Sequence, residues 1–260
     1  MINLDRDRAR LDDVARGLAA VDVAFERHPA INGKRHGALI RRLIRQDFHS
    51  RAKQRPMTDG EIGCTLSHLS VYRRMLREGV EKALILEDDA VFEPEFASFF
   101  ANHLGALLDR FDIVKIEGIF FDHVSADATT LASAGGARAV LPLRPTLGTA
   151  AYALTRRGAK RLLKALSRFD DPLDIKLVQY ERHRTRFVEL RPMLVRQADV
   201  ASSLEADRVR AETGETPASP GIVAKLAERV AFARRVISRM GVWLFWVVES
   251  RLRGGAGKAA

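Results

Sequence analysis

An amphipathic helix followed at once by a short apolar strand constrains this chain more than any other feature. Residues 58–79 carry apolar side chains every three or four positions, between a Thr58-x-x-Glu61 capping box and Gly79, which suits a left-handed C-cap. The run Ala-Leu-Ile-Leu at 83–86 has no polar face, which is typical of a strand buried on both sides in a parallel sheet. This succession predicts an α/β fold.

The same alternation continues along the chain, where spacing and turn residues delimit further elements. It predicts strands at 2–4, 21–25, 112–116, 138–143 and 150–154, helices at 10–20, 38–44 and from Pro94 and Thr155, and a loop at 119–136. A length of 260 residues accommodates one such domain with a well-buried core. We place that domain at residues 1–200, a polar flexible linker at 201–220 and a basic amphipathic tail at 221–260.

Charge and cysteine content narrow the class of protein. The formal net charge is +10, and residues 221–260 hold eight Lys or Arg against two Glu, a local charge of +6. Aromatic residues do not alternate with basic ones in 1–200, so we expect no nucleic-acid partner. Cys64 is the single cysteine, which excludes an internal disulfide. The charged N-terminus lacks the apolar stretch of a secretory signal, so we expect a cytoplasmic protein.

Three consecutive carboxylates follow the apolar strand at Glu87-Asp88-Asp89. Ligands of α/β folds bind at the carboxyl edge of the sheet, where this triplet is predicted to lie. Hard carboxylate oxygens suit Mg²⁺ or Mn²⁺, and a bound divalent cation would relieve their mutual repulsion and hold a diphosphate. The alternative is a solvated acidic turn that caps the next helix. The triplet alone leaves both interpretations open.

The wider sequence around the triplet resembles glycosyltransferase family 25, the lipooligosaccharide-biosynthesis glycosyltransferases. The strings are Gly-Glu-Ile-Gly-Cys-Thr-Leu-Ser-His-Leu at 60–69 and Ala-Leu-Ile-Leu-Glu-Asp-Asp at 83–89. Further likenesses are Ile-Asn-Leu-Asp-Arg at 2–6 with Arg10, Gly-Thr-Ala-Ala-Tyr at 148–152, Pro-Leu-Asp at 172–174, and a segment from Pro192 to Gln197. Ala151 stands where the family has glycine, and the chain begins almost inside its first strand.

The resemblance implies a GT-A-like domain with a mostly parallel central sheet that binds a UDP-sugar, commonly UDP-galactose. It implies that Glu87 and Asp89 are the ends of an Asp-x-Asp-type motif holding Mn²⁺ or Mg²⁺. Residues near the donor would be Asn3, Asp5, Arg6 and Asp88; a capped turn with surface charge is the alternative for the first three, and the resemblance favours contact. The acceptor implied is a lipooligosaccharide, lipopolysaccharide or other surface glycan.

If the transfer inverts the anomeric centre, a carboxylate must accept the proton of the acceptor hydroxyl. Asp174 is our first candidate for this base and Glu117 is the second. For Asp174, a role as the N-terminal cap of a helix is an equal alternative. A lone helical histidine is more often structural than catalytic, so His68 is expected to be structural. Cys64 and Ser67 are expected to be packing residues.

The tail and the competing functions complete the predictions. Residues 240–248 are uncharged, contain both tryptophans and follow a basic stretch, which indicates peripheral binding to the anionic inner face of the cytoplasmic membrane. Packing of this helix on the domain or on a second copy is the alternative. Besides an active transferase, we consider a catalytically impaired nucleotide-sugar-binding or scaffold protein of the same fold. A nucleotidyltransferase is disfavoured because the N-terminal region lacks a glycine-rich phosphate loop.

Overall fold

A computed structural model describes residues 1–118 and 128–198, together with helical residues between 230 and 248. The strands are β1 Ile2–Asn3, β2 His28–Pro29, β3 His49–Ser50, β4 Arg55–Pro56, β5 Lys82–Leu86, β6 Ala90–Phe92, β7 Ile113–Lys115, β8 Ala128–Ala134, β9 Ala137–Pro142, β10 Ala151–Thr155, β11 Phe187–Arg191 and β12 Val195–Gln197. The helices are α1 Arg8–Ala20, α2 Gly33–Leu43, α3 Asp59–Glu78, α4 Phe96–Phe99, α5 Gly105–Arg110, α6 Arg156–Ala165, α7 Leu173–Leu177 and α8 Tyr180–His183, with a π-helical turn at Phe100–Leu104.

The central sheet has six strands in the order β5-β10-β7-β11-β9-β8. Among the described strands, β7 and β11 pair in parallel, whereas the other four pairings of this sheet are antiparallel. The prediction of an α/β fold is confirmed, but the prediction of a mostly parallel sheet is wrong. The physical reason is that β10 runs antiparallel between β5 and β7, so the buried strand at 83–86 has no parallel neighbour within the sheet.

Helices cover the sheet on both faces, and successive residues of the strands point to opposite layers. Ile85 belongs to the core formed with α3 and α6, whereas Leu86 belongs to the core formed with α1, α4 and α5. Residues 83–86 of the strand are therefore apolar because helices cover both of its faces, and Ile85 and Leu86 are buried. Because the strand itself is covered on both faces, the polar residues that follow it, starting with Glu87, lie at the edge of the sheet.

The predicted ends of α3 are confirmed. The Thr58 hydroxyl accepts a hydrogen bond from the backbone N–H of Glu61, and the Glu61 carboxylate accepts one from the N–H of Thr58. Gly79 ends the helix in the left-handed region at φ 73°. Thr155 likewise caps α6 by accepting a hydrogen bond from the N–H of Gly158. Local sequence therefore determined these boundaries.

Two element predictions are wrong. Residues 21–25 are not a strand, because the chain leaves α1 in a turn and the next pairing with β1 is made by β2. Residues 128–134, predicted as part of a loop, form β8, which pairs with β9 around a turn with Gly135 and Gly136 at positive φ. Small residues with little apolar periodicity concealed this edge strand. Residues 119–127 and the predicted linker at 201–220 lie outside the described residues.

The described part of the tail is helical and contacts the domain through one face. The Arg239 guanidinium donates to Glu181 Oε2 at 3.0 Å and lies 5.7 Å from the centre of the Tyr180 ring. Val242 packs against the core on the α3 side. In the part of the chain that the structure describes, no helix combines the length and apolar character needed to cross a membrane. The two tryptophans on which the membrane prediction rested lie outside the described side chains.

Candidate functional site

The carboxylate triplet lines a cavity at the carboxyl end of β5. Glu87 pairs with Ile2 in a parallel bridge, so the loop after β1 lies beside the triplet. The start of α2 and one face of α3 close the other sides. The lining comprises Ile2, Asn3, Leu4, Arg6, Asp7, Arg10, Ala30, Ile31, Asn32, Gly33, Lys34, Gly60, Cys64, Ser67, His68, Glu87, Asp88 and Asp89.

Close glycine contacts between α2 and α3 give the cavity one of its walls. A Cβ atom on Gly63 would lie 2.6 Å from both the backbone N of Gly33 and the carbonyl oxygen of Ile31. Such distances are well inside van der Waals contact, so only glycine permits this approach. The approach brings Asn32 and Lys34 to the cavity opposite the triplet. The glycines of the 60–69 string therefore have a defined packing role.

Asp88 links the triplet to the loop after β1. The Asn3 side-chain amide donates to Asp88 Oδ2 at 2.7 Å, and the Arg10 guanidinium lies 3.6 Å from Asp88 Oδ1. Burial raises the pKa of Asp88, although the Asn3 hydrogen bond and the Arg10 charge oppose that shift. These contacts tie the first strand to the acidic edge and bring Asn3 and Asp88 together, whereas their contact with a nucleotide-sugar donor stays a prediction.

The carboxylate of Asp89 is largely buried, and one of its two oxygens has no hydrogen-bond partner among the described residues. Its Oδ2 accepts a hydrogen bond from the Gln197 side-chain amide at 2.6 Å, and its carbonyl accepts one from the N–H of Ala198 at 2.8 Å. Its Oδ1 is buried and has no hydrogen-bond partner among the described residues. Burial, followed by the charge of Glu87, raises the pKa of Asp89 to about 7. A carboxylate in these surroundings is stabilised by a cation.

Glu87 is held from its inner side by a set of donors that share one oxygen. His68 Nε2 lies 3.1 Å from Glu87 Oε1, the Thr149 hydroxyl donates to the same oxygen, and the Cys64 thiol lies 3.9 Å away. Gly148 allows this approach, because its φ is 105° and a Cβ there would lie 2.3 Å from Glu117 Oε1. The Gly-Thr pair at 148–149 thus serves to bring a hydroxyl to the acidic edge.

Two donor sets could hold a metal ion. The ligand atoms of Cys64, His68 and Glu87 lie within 4.8 Å of one another. Burial, together with the charge of Glu87, raises the pKa of the Cys64 thiol, which disfavours the thiolate that a soft cation needs. The buried Oδ1 of Asp89 beside Glu87 instead offers hard oxygen ligands. By the chemistry of their donor atoms, the carboxylates of Glu87 and Asp89 therefore suit Mg²⁺ or Mn²⁺ better than the cysteine set suits a soft cation.

The two candidate bases lie in different surroundings. Asp174 is in the first turn of α7, where Oδ1 accepts a hydrogen bond from the N–H of Ile175 at 2.9 Å, and Pro172 rather than Asp174 is the N-cap. Lys53 Nζ lies 3.9 Å from Asp174 Oδ2, although Asp174 is not among the residues that line the cavity. The N–H of Leu173 donates to the Thr65 hydroxyl at 3.3 Å, so the start of α7 packs against α3. Glu117 is 1% exposed, burial raises its pKa, and Lys115 Nζ lies 3.3 Å from its carboxylate.

The structure does not bring every predicted residue to the cavity. Arg6 lines it, whereas Asp5 lies outside the lining, with a side chain 83% exposed and paired with Arg27. His68 is fully buried, as a structural histidine would be, but it also contacts Glu87. The sequence analysis did not assign Lys34 to the site. Asn32 was a local signal for a helix that starts there, since its side chain accepts a hydrogen bond from the N–H of Arg35 and caps α2.

This chain matches known proteins, and the family match covers the segment that forms this site. The family model described as glycosyltransferase family 25 (LPS biosynthesis protein) matches residues 1–177, which include the triplet and α3. A protein of Anopheles gambiae named glycosyltransferase 25 family member is 32% identical over 172 residues, covering 63% of this chain and 28% of the relative. Human procollagen galactosyltransferase 2 is 31% identical over 121 residues, covering 45% of this chain and 19% of the relative.

A further relative bears the opposite functional description. The bovine protein named probable inactive glycosyltransferase 25 family member 3 is 24% identical over 169 residues, covering 63% of this chain and 28% of the relative. The chain thus spans less than a third of the length of these curated relatives.

Proposed function

The chain belongs to glycosyltransferase family 25, and from that membership we propose that it transfers a sugar, galactose, from a UDP-sugar to a glycan acceptor with the assistance of a divalent cation. The observation that carries the proposal is the buried Oδ1 of Asp89, which has no hydrogen-bond partner in the described part of the chain and belongs to a carboxylate triplet that lines a cavity. We propose a GT-A-like arrangement in which β1, β5 and the triplet form the nucleotide-sugar side of the domain.

Basic and amide side chains around the cavity support binding of a nucleoside diphosphate. Arg6, Arg10 and Lys34 line the cavity together with the triplet, so cationic groups and a cation site adjoin the same space. Asn3 is fixed by a hydrogen bond from Arg27 Nε at 2.9 Å while it donates to Asp88, which gives the loop after β1 a defined orientation. This rigidity favours recognition of the nucleotide over a general attraction to anions.

Glu87 and Asp89 would hold Mn²⁺ or Mg²⁺, with Gln197 and His68 orienting the two carboxylates. When bound, the cation supplies neutralisation of the negative charge that develops on the departing UDP. We propose that Asp174 accepts the acceptor proton in an inverting transfer, because α7, which carries it, packs against α3 at Thr65, and α3 also carries His68 beside Glu87. Glu117 is the second candidate, and its burial against Lys115 favours a supporting electrostatic role.

The family description and the relatives suggest different acceptors. We propose a lipooligosaccharide, lipopolysaccharide or other surface glycan, which agrees with the family's description as an LPS biosynthesis protein. The procollagen galactosyltransferase name of the human relative instead points to a hydroxyl on a protein, so a collagen-like peptide belongs in any acceptor screen. The bovine relative described as probably inactive favours the alternative of a chain that binds the donor without turnover.

A screen of UDP-sugars with Mn²⁺, read as released UDP, tests the proposal. We expect release with UDP-galactose, its loss with EDTA, and its loss in Asp89→Asn at an unchanged or higher Tm, because the substitution removes one of several adjacent negative charges. Metal-dependent release that survives in Asp89→Asn would contradict the assigned ligand. If the protein binds UDP but releases no UDP from any donor, the result would instead favour the alternative of a catalytically impaired nucleotide-sugar-binding protein.

We further propose that the tail binds an anionic membrane surface at the inner face of the cytoplasmic membrane. The local charge of +6 and the outward apolar residues Ile237, Met240 and Leu244 support it, since these recur at helical spacing opposite the anchored Arg239.

A further inference from the structure

A buried hydrogen-bond chain runs from two tyrosines to the carboxylate of Glu87. The hydroxyls of Tyr72 and Tyr152 are hydrogen-bonded to each other, and the Tyr152 hydroxyl lies 2.6 Å from His68 Nδ1. His68 Nε2 in turn lies 3.1 Å from Glu87 Oε1. We propose that Tyr72, Tyr152 and His68 are positioning residues, which fix the Glu87 carboxylate for binding of the cation and the donor diphosphate; this inference rests on the proposed function.

The direction of the chain follows from donor and acceptor chemistry. An ionised carboxylate only accepts, so His68 must present its N–H at Nε2. In a neutral imidazole the other nitrogen then accepts, so the Tyr152 hydroxyl donates to Nδ1. Tyr152 can accept in turn from Tyr72. Burial raises the pKa of both phenols, so both retain the protons that this direction requires.

The hydrogen-bond chain is rigid because the residues that form it belong to two elements packed against each other. Tyr72 and His68 lie one turn apart on α3, and Tyr152 lies on β10. The rings of His68 and Tyr152 are stacked, with centroids 5.7 Å apart and planes inclined by 20°. All three side chains are 0% exposed. Buried polar groups of this kind have few alternative partners, so the position of His68 fixes that of Glu87.

Loss of the Tyr152 hydroxyl would leave His68 Nδ1 without its donor, although the Glu87 carboxylate would still require the N–H at Nε2. The imidazole ring would then lose a contact that fixes its orientation, and its hydrogen bond to Glu87 would become less ordered. The Thr149 hydroxyl still reaches the same oxygen, so the effect is a partial loss of order. Residues that orient metal ligands typically contribute about 10- to 100-fold to metal affinity, and we expect ~10-fold here.

The experiment measures the binding of Mn²⁺ to the full chain in the presence of UDP. Electron paramagnetic resonance gives the concentration of free Mn²⁺, and bound Mn²⁺ follows from the difference. Tyr152→Phe is compared with Tyr180→Phe, a matched control that also loses a buried hydroxyl, which donates to the carbonyl of Pro142 at 2.7 Å. His68→Gln, which keeps an N–H donor, is compared with His68→Leu. The Tm of each variant is measured in parallel.

We expect Tyr152→Phe to weaken Mn²⁺ binding ~10-fold, Tyr180→Phe to leave it unchanged at a similar loss of Tm, and His68→Gln to bind better than His68→Leu. Equal affinity in Tyr152→Phe and Tyr180→Phe would overturn the positioning role while leaving the proposed function intact. A wild-type protein that binds no Mn²⁺ with UDP would overturn the proposed function itself.

Discussion

At the scale of single residues, the site depends on how each carboxylate is surrounded rather than on the number of carboxylates. Glu87 is bound by His68 and Thr149, whereas Asp89 keeps one oxygen buried without a described partner. Adjacent acidic residues thus have separate tasks. Glu87 is oriented by side-chain hydrogen-bond donors, whereas the buried oxygen of Asp89 would, under the proposed function, coordinate the cation.

The choice between the two candidate bases is also decided at this scale. We expect Asp174→Asn to lower kcat by ~10²-fold or more with the donor KM nearly unchanged, because a base acts in the transfer step and not in donor binding. Glu117→Gln should chiefly lower stability, because it leaves Lys115, which is fully buried, without its carboxylate partner. Steady-state kinetics and thermal unfolding of both variants separate these effects.

If Asp174→Asn lowers donor affinity as much as it lowers kcat, Asp174 is a donor contact or a structural residue of the first turn of α7. Asp170→Asn serves as a control, since Asp170 pairs with Lys176 on the same segment.

At the scale of elements, α3 organises the site through its N-terminal turns and through one face. Its N-terminus is fixed by Glu61, its Gly63 admits the start of α2, and its buried face carries His68 and Tyr72 toward the sheet. The 60–69 string therefore combines a helix cap, a close crossing and a contact to Glu87 in a single element.

Gly63→Ala tests the close crossing of α2 and α3. The added methyl group would meet backbone atoms of Ile31 and Gly33, which cannot move independently of the cavity wall. We expect a loss of ~1–3 kcal/mol in the free energy of unfolding and weaker UDP binding. Gly105→Ala, whose Cβ would meet nothing within 4 Å, should be neutral or slightly stabilising. Chemical denaturation and UDP titration of both variants measure the difference.

The cap of α3 predicts a pH dependence of stability. Burial tends to raise the pKa of Glu61, but hydrogen bonds from Arg55, Lys53 and the N–H of Thr58 outweigh it and lower the pKa to about 2. The unfolded chain therefore takes up its proton first as the pH falls. The stabilisation is fully present above the unfolded pKa of 4.5 and is lost as the pH falls toward 2.

Glu61→Gln should lower the free energy of unfolding near neutral pH by on the order of 2 kcal/mol. The gap between wild type and variant should narrow between pH 4.5 and 2. Urea denaturation across that range measures it, and a gap that stays constant with pH would exclude Glu61 as the source.

At the scale of the whole molecule, the tail helix is joined to the same layer as α3. Arg239 pairs with Glu181 and Val242 packs against the core, so the apolar residues on the other side face outward. Ile237 is 67% exposed and Leu244 57% exposed. A helix anchored in this way would hold the domain at a fixed orientation on a membrane surface.

Replacing Ile237 and Leu244 with Gln should reduce flotation with anionic liposomes and leave Tm and UDP release unchanged, because both side chains are exposed. Leu43→Gln is the matched control, since Leu43 is 72% exposed on a basic helix of the domain. Unchanged flotation of the Ile237 and Leu244 variant would exclude these residues as the membrane contact, and a wild-type protein that does not float at low salt would favour packing of the tail on the domain or a second copy.

The sequence by itself determined the features that depend on neighbours along the chain. Thr58, Glu61 and Gly79 set the ends of α3, Thr155 set the start of α6, and the apolar run before Glu87 predicted the buried strand, because caps and burial patterns are local. Strand direction and side-chain partners depend on contacts distant in sequence. Only the tertiary structure decided that β10 runs antiparallel beside β5, that Asp5 lies outside the cavity, and that His68 joins Tyr152 to Glu87 across 84 and 19 residues of chain.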